Sequence, residues 1–142
     1  MEKKNMYNVK VGDIFCLDRP IGRNGHSIHF FQVVALIGIT KIRIKEINSK
    51  TVSTNSADFN YEFLTPVKDV VIPCKDEFLD SCDYFKDNDN SIGAIKLVQY
   101  NEKEEDKNKK VYIDLCPESI YWGTAYIWDG EPKTHYIDYI SD

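Results

Sequence analysis

The sequence predicts a mainly β protein, at the margin of α+β, built as a small antiparallel barrel or sandwich of SH3-like type with one short helix near residues 75–87. Two observations carry this. Residues 28–47, IHFFQVVALIGITKIRIKEI, form the longest apolar stretch, and its period changes partway. Residues 30–37 are apolar except at Gln32 and rich in β-branched and aromatic side chains, as in a strand buried on both faces. After Gly38, Lys41-Ile42-Arg43-Ile44-Lys45 alternates strictly, which sets Ile42 and Ile44 toward a core and three cations away from it. The second observation is the rest of the chain, where eight or nine short strand candidates are separated by turn chemistry.

In chain order, residues 1–10 are expected as a mobile lead-in and residues 11–17 as the first strand. Residues 18–27, DRPIGRNGHS, hold Pro20, Gly22, Asn24 and Gly25, which predicts a long loop before the central hairpin. Residues 48–60 read as a loop or an edge strand. Short strands follow at 61–64 and 67–72, closed by Pro66 and Pro73. In residues 75–87, Phe78, Leu79, Cys82 and Phe85 recur at helical spacing, with Asp76 and Glu77 in the first turn and Lys86 in the last. Strands are expected at 92–100 and 111–115, joined by an exposed charged tip at 101–110. Asp129-Gly130 between strands at 124–128 and 134–140 predicts a final hairpin. Residues 1–142 form one domain, with no internal repeat or linker.

The composition excludes several classes. At 42% hydrophobic and 13% aromatic residues the chain has enough to build a core. Its apolar runs fall short of the roughly 18 residues of a membrane helix, and no apolar segment follows the first cations as an export signal would require. Cys16, Cys74, Cys82 and Cys116 are widely spaced and expected as free thiols of a cytoplasmic protein. Residues 1–50 carry nine Lys/Arg against four Asp/Glu, and residues 51–142 carry nine against nineteen, so a net charge of −5 hides halves of +5 and −10. Such asymmetry fits either an oppositely charged partner or halves that complement each other.

Enzyme signatures such as a nucleophile elbow, a P-loop or a zinc-protease helix are absent, so no catalytic residue and no cofactor is assigned. Cys16 or Cys116 meeting His26, His29 or His135 is the pairing open to nucleophilic chemistry. No metal site is expected: neither His26 with His29 nor Cys74 with Cys82 has zinc-knuckle spacing, and the run Asp83, Asp87, Asp89 lacks the glycine and glutamate of a calcium loop. Lys41, Arg43 and Lys45 would project from one strand face about 7 Å apart, where they could take phosphates, joined by Arg19 and Arg23. The alternative is a solvated face that guards an edge. Tyr121, Trp122, Tyr126, Trp128, Tyr136 and Tyr139 crowd the C-terminal region, with His135 among them. These rings either fill the core, line a subunit interface or form a stacking pocket. The candidate ligand site is therefore Arg19, Arg23, Lys41, Arg43, Lys45, Tyr126, Trp128, His135 and Tyr136. Asp76, Glu77, Asp80, Asp83 and Asp87 make a candidate acidic docking surface.

Five segments taken together, VGDIF (11–15), FFQVV (30–34), the pattern at 38–47, TPVKD (65–69) and AYIWDGEPKTHYIDY (125–139), resemble a family of small proteins encoded by bacteriophages and prophages. The resemblance covers about half the chain. It implies an accessory protein of the bacterial cytoplasm but transfers no functional residue. The expectation is a non-enzymatic binding protein that counters a host defence, either by sequestering a nucleotide-like signal or by blocking a host protein. An RNA-binding small barrel and a structural homo-oligomer are the alternatives. A membrane partner is not expected, and nucleic acid is disfavoured by the acidic balance.

Overall fold

The computed structural model describes residues 3–21, 25–55, 61–72, 93–103, 105, 109–115 and 123–136. Among them are eight antiparallel strands and no α-helix: β1 (Ile14–Ile21), β2 (Gly25–Ile37), β3 (Lys41–Asn55), β4 (Tyr61–Val71), β5 (Ala94–Tyr100), β6 (Val111–Asp114), β7 (Thr124–Ile127) and β8 (Lys133–His135). The mainly β expectation holds. The helix expected at 75–87 lies outside the described residues, and among the described residues no helix is long and apolar enough to cross a membrane.

Strand pairing closes a ring. The order β2-β1-β7-β6-β5-β3 returns to β2 through the β2–β3 hairpin, giving a six-stranded barrel without a free edge. A smaller second ring shares two of these strands. Beyond Ile47, β3 leaves β2 and pairs with β4, which pairs with β8. Immediately after β8, Tyr136 bridges back to His26 at the start of β2, by N–H donation in both directions at 2.6 and 2.9 Å.

The two rings explain why β2 is apolar on both faces. Phe31 and Val33 point into the six-stranded barrel with Phe15, Leu17, Ile42, Ile44, Val98, Ile113 and Ala125. Ile28 and Phe30 point the other way, into a second core with Cys16, Ile47 and Leu64. Two-sided burial runs from Ser27 to Val33 and fades to partial burial from Val34, a few residues earlier than the apolar run suggests.

Four expectations need correction. Residues 18–27 are not a long loop: β1 and β2 stay in register from Ile14↔Gln32 to Ile21↔Gly25. Pro20 is tolerated because β1 pairs with β7 only from Phe15 to Leu17, so among the described residues this end of the strand has a neighbour on one side alone. Residues 61–72 hold one strand, not two. Between the rungs Ser49↔Pro66 and Ile47↔Val71 the chain bulges out, with Asp69 at φ 68°. Gln32 locks this bulge: its Nε2 donates to Asp69 Oδ1, and its Oε1 accepts the Asp69 N–H, both at 2.7 Å. The Asp129-Gly130 turn does not close a hairpin. Both edges of β7 are taken by β1 and β6, so the chain crosses to the edge of β4 instead. Finally, residues 3–10 pack on the barrel instead of leading into it. Val9 is in the core, Asn5 Oδ1 accepts the N–H groups of Tyr7 and Val9, and Tyr7 stacks on Tyr100 with ring centroids 5.9 Å apart.

Candidate functional site

β5 is inside out. In AIKLVQY the apolar Ile95 and Leu97 face solvent, 40% and 47% exposed, while Lys96 points into the barrel and is 1% exposed. Its Nζ donates to the Leu115 carbonyl at 3.4 Å. The strand cannot turn over, since β-strand faces alternate with period two. Ala94 and Val98, in phase with Lys96, are committed to the core.

The consequence falls on β3. Its outward residues Lys41 and Arg43 stand directly across from Leu97 and Ile95, and on the other side from Ile37 and Ala35. The outer face of β2–β3–β5 is therefore a column of cations flanked by aliphatic columns. Ile39, 70% exposed on the hairpin turn, extends it. At its other end, Lys45 lies opposite Gln32, where the β4 bulge begins to cover the sheet.

The sequence-predicted ligand residues do not converge. In the six-stranded ring β7 is three strands from β3 in either direction, so Tyr126 and the Lys41–Arg43 column face away from each other. Trp128, His135 and Tyr136 serve the second ring. Trp128 meets Phe30 edge to face at 6.1 Å, and its Nε1–H donates to the Glu131 carbonyl. His135 Nδ1 accepts the Ile28 N–H at 3.2 Å, and Tyr136 forms the bridge to His26. Burial holds His135 below its ordinary value of 6.5; Glu62 opposes this and His29 adds to it. Arg19 lies on β1 opposite Ser27. Arg23 and the acidic set Asp76, Glu77, Asp80, Asp83 and Asp87 lie outside the described residues.

Tyr126 lines a cleft of about 170 Å³ with Cys16, Asp18, Lys109, Ile127, Asp129 and Lys133. Lys133 is bound to Asp129 at 2.7 Å and, by that hydrogen bond, holds its carboxyl below the usual carboxylate range. Burial pushes the Cys16 thiol up to about 12, which disfavours the thiolate that nucleophilic attack needs. Among the described residues no group of three His, Cys, Asp or Glu side chains could hold a metal ion.

Sequence reasoning missed one constellation. Ser27, His29 and Glu46 are all buried and form a chain. Ser27 Oγ lies 2.9 Å from His29 Nε2, and His29 Nδ1 lies 3.1 Å from Glu46 Oε2. With Glu46 as the acceptor, Nδ1 carries the hydrogen of the neutral ring, and Nε2 can then accept the Ser27 O–H. Cys16 sits on the opposite face of the sheet from this imidazole, so the Cys16–His29 pairing open to sequence reasoning does not form. The signal for the chain is long-range: Glu46 reaches His29 only through the β2–β3 register, in which it lies opposite Phe31. No family model, no curated protein and no solved structure matches this chain.

Proposed function

We propose that the protein is a binding module whose working surface is the outer face of β2–β3–β5, and that it docks an acidic, partly apolar segment of another protein. The inverted strand β5 carries this reading. A register that buries Lys96 and exposes Ile95 and Leu97 is costly for folding alone, because an ammonium is desolvated while aliphatic surface stays wet. Exposed aliphatic side chains in register with Lys41 and Arg43 suit a partner that alternates carboxylates with aliphatic groups. The resemblance to phage-encoded accessory proteins supplies a setting, in which the partner is a host defence component that the module blocks. Nucleotide capture draws less support, since the cations and the aromatic rings meant to share one ligand lie on different sides of the barrel.

The test is retention on immobilised synthetic peptides at roughly 150 mM salt, where exposed charges are screened beyond about 8 Å. Peptides that alternate Glu and Leu should retain the protein, and all-Glu peptides should not. Arg43→Glu and Leu97→Asp should each abolish retention. Equal retention on both peptides, or full retention of both variants, would reduce the surface to an ordinary charged face. Light scattering on the same samples separates peptide docking from self-association.

A further inference from the structure

We propose that Ser27, His29 and Glu46 form a nucleophilic triad at the mouth of the six-stranded barrel, able to accept an acyl group from a small activated ester. The inference is independent of the docking face, which lies on the barrel's flank. Its first support is the order of the contacts. The hydroxyl meets Nε2 and the carboxylate meets Nδ1, the arrangement in which a histidine takes a proton from a serine while a carboxylate fixes its tautomer and stabilises the imidazolium. The reverse attachment would leave the imidazole unable to act as base.

Its second support is position. Ser27 and His29 share one face of β2 at alternate positions, the face that carries Phe31 and Val33 into the barrel. Ser27 lies past the last β1–β7 rung among the described residues, Leu17↔Ala125, while His29 stands level with it as the partner of Leu17, and both lie past the last β2–β3 rung, Phe30↔Ile47, toward one end of the barrel. Barrel mouths are a favoured place for small-ligand sites. Across β1, Arg19 is the register partner of Ser27, which puts a cationic residue on the same face of the sheet. All three triad residues are buried, Ser27 at 6%, His29 at 7% and Glu46 at 4% exposure, so the site admits compact acyl groups only.

The step balances without a cofactor. Ser27 Oγ attacks the acyl carbon and its proton passes to His29 Nε2. The carbon–oxygen bond to the leaving alcohol breaks, and the alcohol departs with that proton. Water then attacks the acyl-serine through the same base, releasing the carboxylic acid and restoring the Ser27 hydroxyl. Glu46 acts as a positioning residue.

The competing reading is a network that only satisfies buried polar groups. Diisopropyl fluorophosphate and phenylmethanesulfonyl fluoride, both compact serine reagents, separate the two, with adducts located by mass spectrometry of the full chain and its digest. Single modification at Ser27 is expected, together with turnover of 4-nitrophenyl acetate. Both should be lost in Ser27→Ala and His29→Asn, and slowed by up to roughly 10⁴-fold in Glu46→Gln. A merely structural network predicts variants that melt at lower temperature and a wild-type Ser27 that neither reagent modifies. That last result alone overturns the proposal, whether or not the variants fold.

Discussion

Replacing Gly93 by Ala should be among the most damaging single-methyl changes available to this chain. Gly93 immediately precedes β5 and has φ 86°, in the left-handed region. A Cβ there would overlap the carbonyl oxygen of Ile44, which is backbone and cannot swing aside, and would crowd Cγ of Lys45. An L-residue held at such a φ costs about 1–2 kcal/mol, and forcing a methyl into an occupied space costs about 1–3 kcal/mol more, so about 3 kcal/mol is expected. At about 3 °C per kcal/mol for a domain of this size, the melting temperature should fall by roughly 10 °C. Gly130→Ala is the matched control. Gly130 has φ 88° but nothing within 4 Å of its would-be Cβ, so only the conformational cost applies, about 1 kcal/mol. Differential scanning calorimetry of the pair decides the matter. Equal melting temperatures for the two variants would refute the close β3–β5 approach, and with it the register that sets Arg43 against Ile95.

Further predictions follow from the two-ring architecture. Phe30→Ala empties the second core and removes the edge-to-face contact with Trp128, and should cost about 3–5 kcal/mol in chemical denaturation. Leu97→Asp, on an exposed position opposite Lys41, should change stability by no more than about 0.5 kcal/mol, so its loss of peptide docking would not reflect unfolding. Protonating His135 at Nδ1 removes the acceptor of the Ile28 N–H. Since its value in the fold lies below 6.5, the unfolded chain binds the proton first, and this contribution to stability is lost as pH falls through that range. Amide exchange at Ile28, corrected for intrinsic rate, should therefore accelerate on acidification below 6.5; a protection factor that does not fall on acidification would count against the bond. The Cys16 thiol, raised from 9.0 to about 12, stabilises the fold fully below pH 9 and loses that contribution as pH rises toward 12. Alkylation of native Cys16 by iodoacetamide at pH 8 should accordingly be far slower than in denaturant.

Much of the frame was legible in residues 28–47. Their two-sided apolar half is the strand that both cores share, and their alternating half is β3, with Ile42 and Ile44 inward and three cations outward. Pro20 and the glycines around it concealed a continuous β1–β2 ribbon, because proline is excluded only where a strand has hydrogen-bonding neighbours on both sides. Asp129-Gly130 carries a strong local hairpin signal, but a local signal cannot report that both edges of β7 are already occupied. The inversion of β5 was hidden because either phase of IKL could have faced the core. Closure of the barrel around Ala94 and Val98 settled which. The Ser27–His29–Glu46 chain was out of reach because it joins β2 to β3 through a register that no local pattern encodes.

The proposed docking on the outer face of β2–β3–β5 can be followed by methyl and arginine side-chain NMR during titration with an alternating Glu–Leu peptide. Shifts concentrated at Ile39, Ile95, Leu97 and Arg43, saturating together and vanishing in Arg43→Glu, are the expected result. Shifts confined instead to the cleft around Ile127 and Tyr126, or an absence of saturable shifts anywhere on this face, would contradict it.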